Sequence, residues 1–234
     1  MKSIIKLMLA TVSLFSITST NAADINVRIV NLTNGIYFTP FLVAVHPTGS
    51  SLFTTGQPAS ASLQMMAEGG STAGLVTDMQ ALGATISDNP AGGLLGPGSS
   101  TNVDLNTDGT SNVMLSVVAM LLPTNDGFAA LNAVEVPTSP GTYVYNLPAY
   151  DAGTEANDEL ITGGGAPGVA GIPVDPGANS GTGGTGVAMT DANTNVHIHR
   201  NVLGDMDNAA GISDLDSRIH RWLNPVVRVI LTVR

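Results

Sequence analysis

The chain has 234 residues, no cysteine, and 18 Asp and Glu against 8 Lys and Arg. A protein this acidic is repelled by nucleic acid and by anionic membranes, and it attracts cations. Without cysteine it has neither disulfides nor a thiol nucleophile, and its stability must come from a packed core and from any bound cation.

The first residues, MKSIIKLMLATVSLFSITSTNAAD, set Lys2 and Lys6 ahead of a short apolar run and small residues at Ala22 and Ala23. This layout predicts a secretory signal peptide over residues 1 to about 22, with an apolar part too short for a membrane span. No later segment offers a span either. The remainder, residues 23–234, is read as one exported domain in which six arginines face eighteen acids, a formal charge of −12.

Strand signals dominate that remainder. Residues 24–33, DINVRIVNLT, alternate with Ile25, Val27 and Ile29 on one face. YFTPFLVAVH follows, interrupted by Pro40, which confines it to an edge or bulged strand. ASASLQMMAEGG and AGLVTDMQALG predict two short helices between about residues 59 and 82, each ended by glycine. Residues 113–122, VMLSVVAMLL, are apolar on both faces, as a strand buried in a sandwich core requires. TYVYNL, TNVHIHRNV and PVVRVILTVR complete the set. Short strands with long Gly- and Pro-bearing connections predict an all-β fold, an antiparallel β-sandwich with short helical insertions.

Residues 163–187 have almost no large side chains and are expected to form a long mobile loop. Within it GTGGTG matches a dinucleotide fingerprint in letters only, because neither the preceding strand nor the following helix is there.

The acids concentrate in three places. YDAGTEANDE, residues 150–159, holds four of them with no Lys or Arg nearby, and Gly153 allows a tight turn that would aim Asp151 and Glu155 at one point. PTNDGF places Asp126 just beyond the buried strand. VDLNTDG sets Asp104, Asn106 and Asp108 at alternate positions before Gly109, like the first half of an EF-hand loop, but Leu115 stands where the bidentate Glu belongs. That excludes an EF-hand, and the Asp-Gly pair reads as a hairpin turn. Asp158 and Glu159 are expected to be solvated, as are Asp205, Asp207, Asp214 and Asp216 in an exposed polar turn.

His197 and His199 lie two apart on a strand and share a face, with His220 able to approach from RIHRW. They read as a hydrogen-bonded group steadying the return of the long loop, with a zinc or copper site as the alternative. Trp222 is expected to be mostly buried. No G-x-S-x-G is present, and residues 23–234 contain no lysine for a Schiff base or a phosphate cradle.

MLLPTNDGFAAL, YDAGTEAN and the near-terminal NPVVRVILTV together resemble the spondin N-terminal domain, in the form of an exported bacterial domain standing alone. The resemblance implies a C2-like β-sandwich with calcium held by acids from separate loops. Asp126 matches the acid of the PSPDWF-type segment, and Asp151 and Glu155 match the two acids of the YDAGTD-type segment. Asp104 matches an upstream acid. The chain departs from the pattern where Gly127 and Phe128 replace the tryptophan-bearing pair, and in having no cysteines. The resemblance implies a calcium-binding, non-catalytic adhesion or binding module, secreted or at the cell surface or periplasm, with an extracellular or envelope protein or glycan as partner. The competing expectations are a hydrolase using Asp126 and Asp151 as acid and base, and a transition-metal carrier built on the three histidines.

Overall fold

A computed structural model describes residues 24–234; the expected signal peptide lies outside the described residues. Two antiparallel sheets are stacked with apolar side chains between them. The first has four strands, β5 (Ser100–Asn106), β1 (Asp24–Asn31), β11 (Val227–Val233) and β8 (Gly141–Leu147), in that spatial order. The second runs β10 (His197–Ile198), β9 (Ala149–Asp151), β7 (Gly127–Glu135), β6 (Met114–Leu122), β3 (Leu42–His46) and β4 (Thr85–Asp88). A two-residue strand, β2 (Tyr37–Phe38), also pairs with β6.

The alternation of β1 does what its sequence predicts. Ile25, Val27 and Ile29 are fully buried, facing Val43, Val45, Val117, Ala119 and Leu121 of the other sheet. β11 contributes Val227, Val229 and Leu231 to the same core, while Arg228 turns outward to Asn146. β6 is apolar on both faces because it is covered on both. Val118 and Met120 point away from the first sheet into a second core closed by α1 (Ala61–Gly69) and α2 (Ala73–Ala81), through Leu63, Met66, Leu75 and Met79. Each such side chain contributes roughly 1.5–3 kcal/mol by burial. Ser60 caps α1 by accepting from the Leu63 amide, and Gly70, at φ 70°, ends it.

The structure differs from the sequence pattern at several points. Pro40 splits its run into β2 and β3 rather than bulging a single strand. The histidine strand is only two residues long. The Asp-Gly turn forms, with the Thr110 amide donating to Thr107 O and Gly109 at φ 73°, but it is no hairpin: β5 and β6 belong to different sheets. Residues 163–187 are irregular yet tied down. Ile172 is fully buried, and Asp175 accepts from the amides of Gly177, Asn179 and Ser180. The GTGGTG glycines bind back onto the chain, with Gly181 N donating to Asp214 O and Gly184 N to Asp214 Oδ1. Trp222 is mostly buried, as expected.

Candidate metal centre

The β6–β7 turn and the segment after β9 meet at one end of the second sheet. Thr124 closes the turn: its hydroxyl donates to Leu121 O (2.7 Å) and accepts from Gly127 N (3.0 Å), which fixes Asp126 at the entry to β7. β9 pairs with β7 so that Asp151 stands opposite Gly127. The chain then wraps over Asp126. Asp126 Oδ2 accepts from Thr154 N (2.8 Å), Glu155 N (3.1 Å) and the Thr154 hydroxyl (3.3 Å). Asp151 Oδ1 accepts from Gly153 N (2.8 Å) and its Oδ2 from Asn157 Nδ2 (2.8 Å). Glu155 Oε2 receives longer bonds from Gly171 N (3.3 Å) and Asn125 Nδ2 (3.4 Å).

These three acids are 0%, 0% and 7% exposed, yet they are incompletely satisfied. Asp126 Oδ1 and Glu155 Oε1 are buried with no hydrogen-bond partner among the described residues. Among the described residues, no arginine pairs with either acid; Arg218 is taken by Asp216, and Arg234 by Asp24 and Asp104. Burial pushes the Asp126 carboxyl up to about 7, helped by the charge of Asp151 and opposed by the Thr154 and Glu155 amides. Burial pushes Glu155 up to about 8, helped by the charge of Glu68, a fully buried acid of α1 that the sequence did not mark. Glu68 is held by Gln64 Nε2 (2.8 Å) and Gly168 N (2.6 Å).

Asp104 does not join this group. The alternation of β5 turns it outward, where it accepts from Asn26 Nδ2 and Arg234 Nη2, both at 3.1 Å. Asp158 and Glu159, expected to be solvated, are buried instead. Asp158 Oδ1 accepts from Asn125 Nδ2 (2.8 Å), and Glu159 accepts from Leu203 N, Gly204 N and the Ser213 hydroxyl. Asp214 and Asp216 are likewise buried and bonded to backbone amides.

The histidines divide. His197 and His199 share a face as predicted, with their Nε2 atoms 3.8 and 4.0 Å from Asp151 Oδ2. His220 goes elsewhere: its Nε2 faces Asp175 Oδ2 at 3.5 Å and its Nδ1 accepts from Asp216 N. The three-histidine site is therefore not formed. Hydrogen bonding also fixes which ring nitrogen is free. His197 Nδ1 lies 2.8 Å from the Asn195 carbonyl, an acceptor only, so Nδ1 carries the hydrogen and Nε2 keeps a lone pair. In His199 the reverse holds. Its Nδ1 accepts from Asn201 N (3.0 Å), and the ring proton sits on Nε2, which is buried and unpartnered. Burial pulls the His199 pKa down to about 4, against the pull of Asp151, and the ring is neutral at physiological pH. His199 also packs on Trp222, ring centroids 5.2 Å apart.

Among the described residues, three potential ligand atoms come within 4.8 Å of one another at Asp151, Asp191 and His197. Asp126, Asp151 and Glu155 do not gather that tightly. Asp191 was missed in the sequence, although Asp191, Asn193 and Asn195 repeat at every second position before His197.

A family model described as Spondin_N matches residues 31–159. The chain belongs to the spondin N-terminal domain family. That match contains the Asp126 turn and the whole YDAGTEANDE segment, and its end excludes Asp191 and all three of the histidines just described. The family is an extracellular, non-enzymatic one, and no described helix is long and apolar enough to cross a membrane. A comparison with curated proteins gave no match.

Proposed function

We propose that this spondin domain is an exported, non-catalytic binding module whose strand-end loops are locked by a calcium ion held by Asp126, Asp151 and Glu155. The observation that carries this reading is the pair of buried carboxylate oxygens, Asp126 Oδ1 and Glu155 Oε1, that no donor among the described residues meets. A buried acceptor without a partner costs about 1–3 kcal/mol, and more when charged. A hard cation removes that cost. Calcium takes six to eight oxygens at 2.3–2.6 Å in irregular geometry, which suits carboxylates spread more widely than a small ion would accept. When bound, the ion supplies a positive charge that no arginine among the described residues provides here. Asp126 is held ready by the Thr154 and Glu155 amides on its Oδ2, Glu155 by Gly171 N and Asn125 Nδ2 on its Oε2, and Asp151 by Gly153 N on Oδ1 and Asn157 Nδ2 on Oδ2.

A hydrolase built on Asp126 and Asp151 has less to support it. Both carboxyls are fully buried, and Asp126 Oδ2 is already occupied by three donors. Two cavities of about 490 and 330 Å³, one beside Trp222 and one beside Tyr150, are lined by neither acid. A secreted or envelope protein or glycan is the partner class that suits an extracellular module of this kind.

The test is thermal melting of the chain in chelator and in millimolar calcium, with metal content verified by mass spectrometry. Calcium should raise the melting temperature. Identical curves for protein shown to be loaded would overturn a structural calcium ion.

A further inference from the structure

We propose that Asp151, Asp191 and His197 form a second cation site, of mixed nitrogen and oxygen donors, for a borderline divalent ion of the zinc class. It shares Asp151 with the calcium reading above but does not depend on it, since its defining ligands are His197 and Asp191.

Geometry brings the three together by construction. In the β9–β10 pair His197 is the register partner of Asp151, which places both side chains on one face. The approach of the two segments depends on Gly153. At φ 68° it turns the chain, and a Cβ there would fall 2.7 Å from Thr194 C and 2.8 Å from Asn195 N. Asp191 is fixed by consecutive side-chain turns: its Oδ1 accepts from Asn193 N (3.0 Å), and Asn193 Oδ1 accepts from Asn195 N (3.2 Å). The ligand atoms of all three residues then lie within 4.8 Å of one another. Zinc bonds of about 2.0–2.2 Å set tetrahedral ligands roughly 3.4 Å apart, and the 3.8 Å between His197 Nε2 and Asp151 Oδ2 needs only a small closure.

Donor chemistry selects the ion. A metal-binding imidazole donates its other N–H to a carbonyl or carboxylate, which orients the ring and raises its basicity. His197 does this through Nδ1 to the Asn195 carbonyl, leaving Nε2 as the lone pair that faces Asp151. An imidazole with two carboxylates suits zinc and its neighbours, while calcium takes oxygen almost alone. His197 and Asp191 are half-buried, which leaves the site a side open for water or a further ligand.

An independent observation points into the same place. His199 Nε2 is buried, has no partner, and stands 4.0 Å from Asp151 Oδ2. Because His199 Nδ1 already accepts from Asn201, Nε2 is a donor and not a ligand. It would hold Asp151, or a metal-bound water, by a hydrogen bond. Gly127 lets it come close, since a Cβ there would meet the His199 ring at 3.2 Å.

The experiment is zinc titration of the full chain by calorimetry in 1 mM calcium, with wild type, His197→Gln, Asp191→Asn and Asp126→Asn compared. Wild type should bind one zinc per chain. His197→Gln and Asp191→Asn should each weaken zinc at least tenfold and keep the calcium-dependent rise in melting temperature. Asp191→Asn is the variant safest for folding, because Asn makes the same turn. Asp126→Asn should do the reverse, losing the calcium response and keeping zinc. Cobalt(II) added in place of zinc should give the visible absorption of a four-coordinate nitrogen–oxygen site that disappears in His197→Gln. No zinc bound by wild type at about 10 µM free metal, or unchanged zinc binding by both ligand variants, would overturn the site. Loss of the calcium response together with zinc in both variants would overturn its separateness. Failure of the calcium response alone would leave zinc binding standing and count only against the calcium reading.

Discussion

Gly153 and Asn195 touch backbone to backbone: a Cβ on Gly153 would lie 2.8 Å from both the nitrogen and the oxygen of Asn195. Together with the β9–β10 pairing, this contact docks the loop that carries Asp191 and His197 onto the segment that carries Asp151 and Glu155. It also falls at φ 68°, where a side chain adds strain. Gly153→Ala is therefore expected to cost about 2–4 kcal/mol, the sum of a strained conformation and a displaced backbone. Chemical denaturation of chelated protein checks the figure. A loss under about 0.5 kcal/mol would mean that the loop can shift freely and that the contact does not organise the site.

Asp126→Asn separates two effects that act in opposite directions. In chelator the substitution removes a buried charge repelled by Asp151 and keeps the hydrogen-bond acceptor for Thr154 and Glu155, so stability should be unchanged or slightly higher. In calcium the wild type gains by mass action. With a dissociation constant on the order of 10⁻⁴ M, 1 mM calcium contributes about 1.4 kcal/mol. That corresponds to roughly 3–6 °C for a domain of this size. The variant should show almost none of this rise. A variant that melts lower than wild type in both conditions by the same margin would assign Asp126 a structural role only.

Much of this architecture was legible because period-two burial is a local signal. Ile25, Val27 and Ile29 announce β1, and the two-sided apolar run of β6 announces a strand covered on both faces. β7 was not read as a strand, since GFAALNAVE is alanine-rich and its strand character comes from pairing with β6. The acids of the site were named from their motifs, but their surroundings are long-range facts. Asp104 sits in a similar stretch of sequence and is neutralised by Arg234, 130 residues away. Glu159 looks like a solvent-facing acid until Leu203, Gly204 and Ser213 arrive as donors. Asp191 was in plain view as part of an alternating polar run, but nothing local tells which of Asp191, His197 and His199 faces Asp151.

Ionisation gives chelated protein a definite pH dependence. Asp126 and Glu155 have folded pKa values of about 7 and about 8, above those of an unfolded chain. Their contribution is fully present below about pH 4 and is lost as pH rises through 7 to 8. His46, buried against Ser50 and Ser116, and His199 are shifted the other way by burial. Their contribution is complete above about pH 6.5 and is lost as pH falls toward the folded value, about 4 for His199. Metal-free protein should therefore be most stable in mildly acidic buffer and weaken toward pH 8.5. Calcium binds the ionised carboxylates, so its stabilising effect should grow over the same interval. Melting temperatures from pH 5 to 8.5, with and without calcium, should diverge as pH rises. Parallel curves would show that Asp126 and Glu155 do not change protonation in this range.

Asp175 and His220 make the last prediction, one independent of metal. The Asp175 side chain is 4% exposed and anchors the irregular 163–187 segment. Burial alone would raise its pKa, but the His220 ring facing it at 3.5 Å and bonds from the Ser180 hydroxyl and amide, Asn179 N and Gly177 N outweigh this and hold it well below the usual carboxylate range. His220 is positioned in turn by the Asp216 amide on its Nδ1, and Asp216 accepts from the Arg218 guanidinium (2.9 Å to Nε). A depressed folded pKa contributes stability that persists from neutral pH down to about pH 4 and fades only below it. Asp175→Ala strips the acceptor from at least four donors at once and should cost about 3 kcal/mol or more at pH 7, since buried groups left unpaired dominate the loss. Asp175→Asn keeps the side-chain oxygen for some of these donors and should cost about half as much. Hydrogen exchange should show the 177–180 amides losing protection in both variants while those of β6 keep theirs. Unchanged protection at 177–180 in Asp175→Ala would show that the segment is held by its backbone contacts, such as Gly181 N to Asp214 O, and not by this carboxylate.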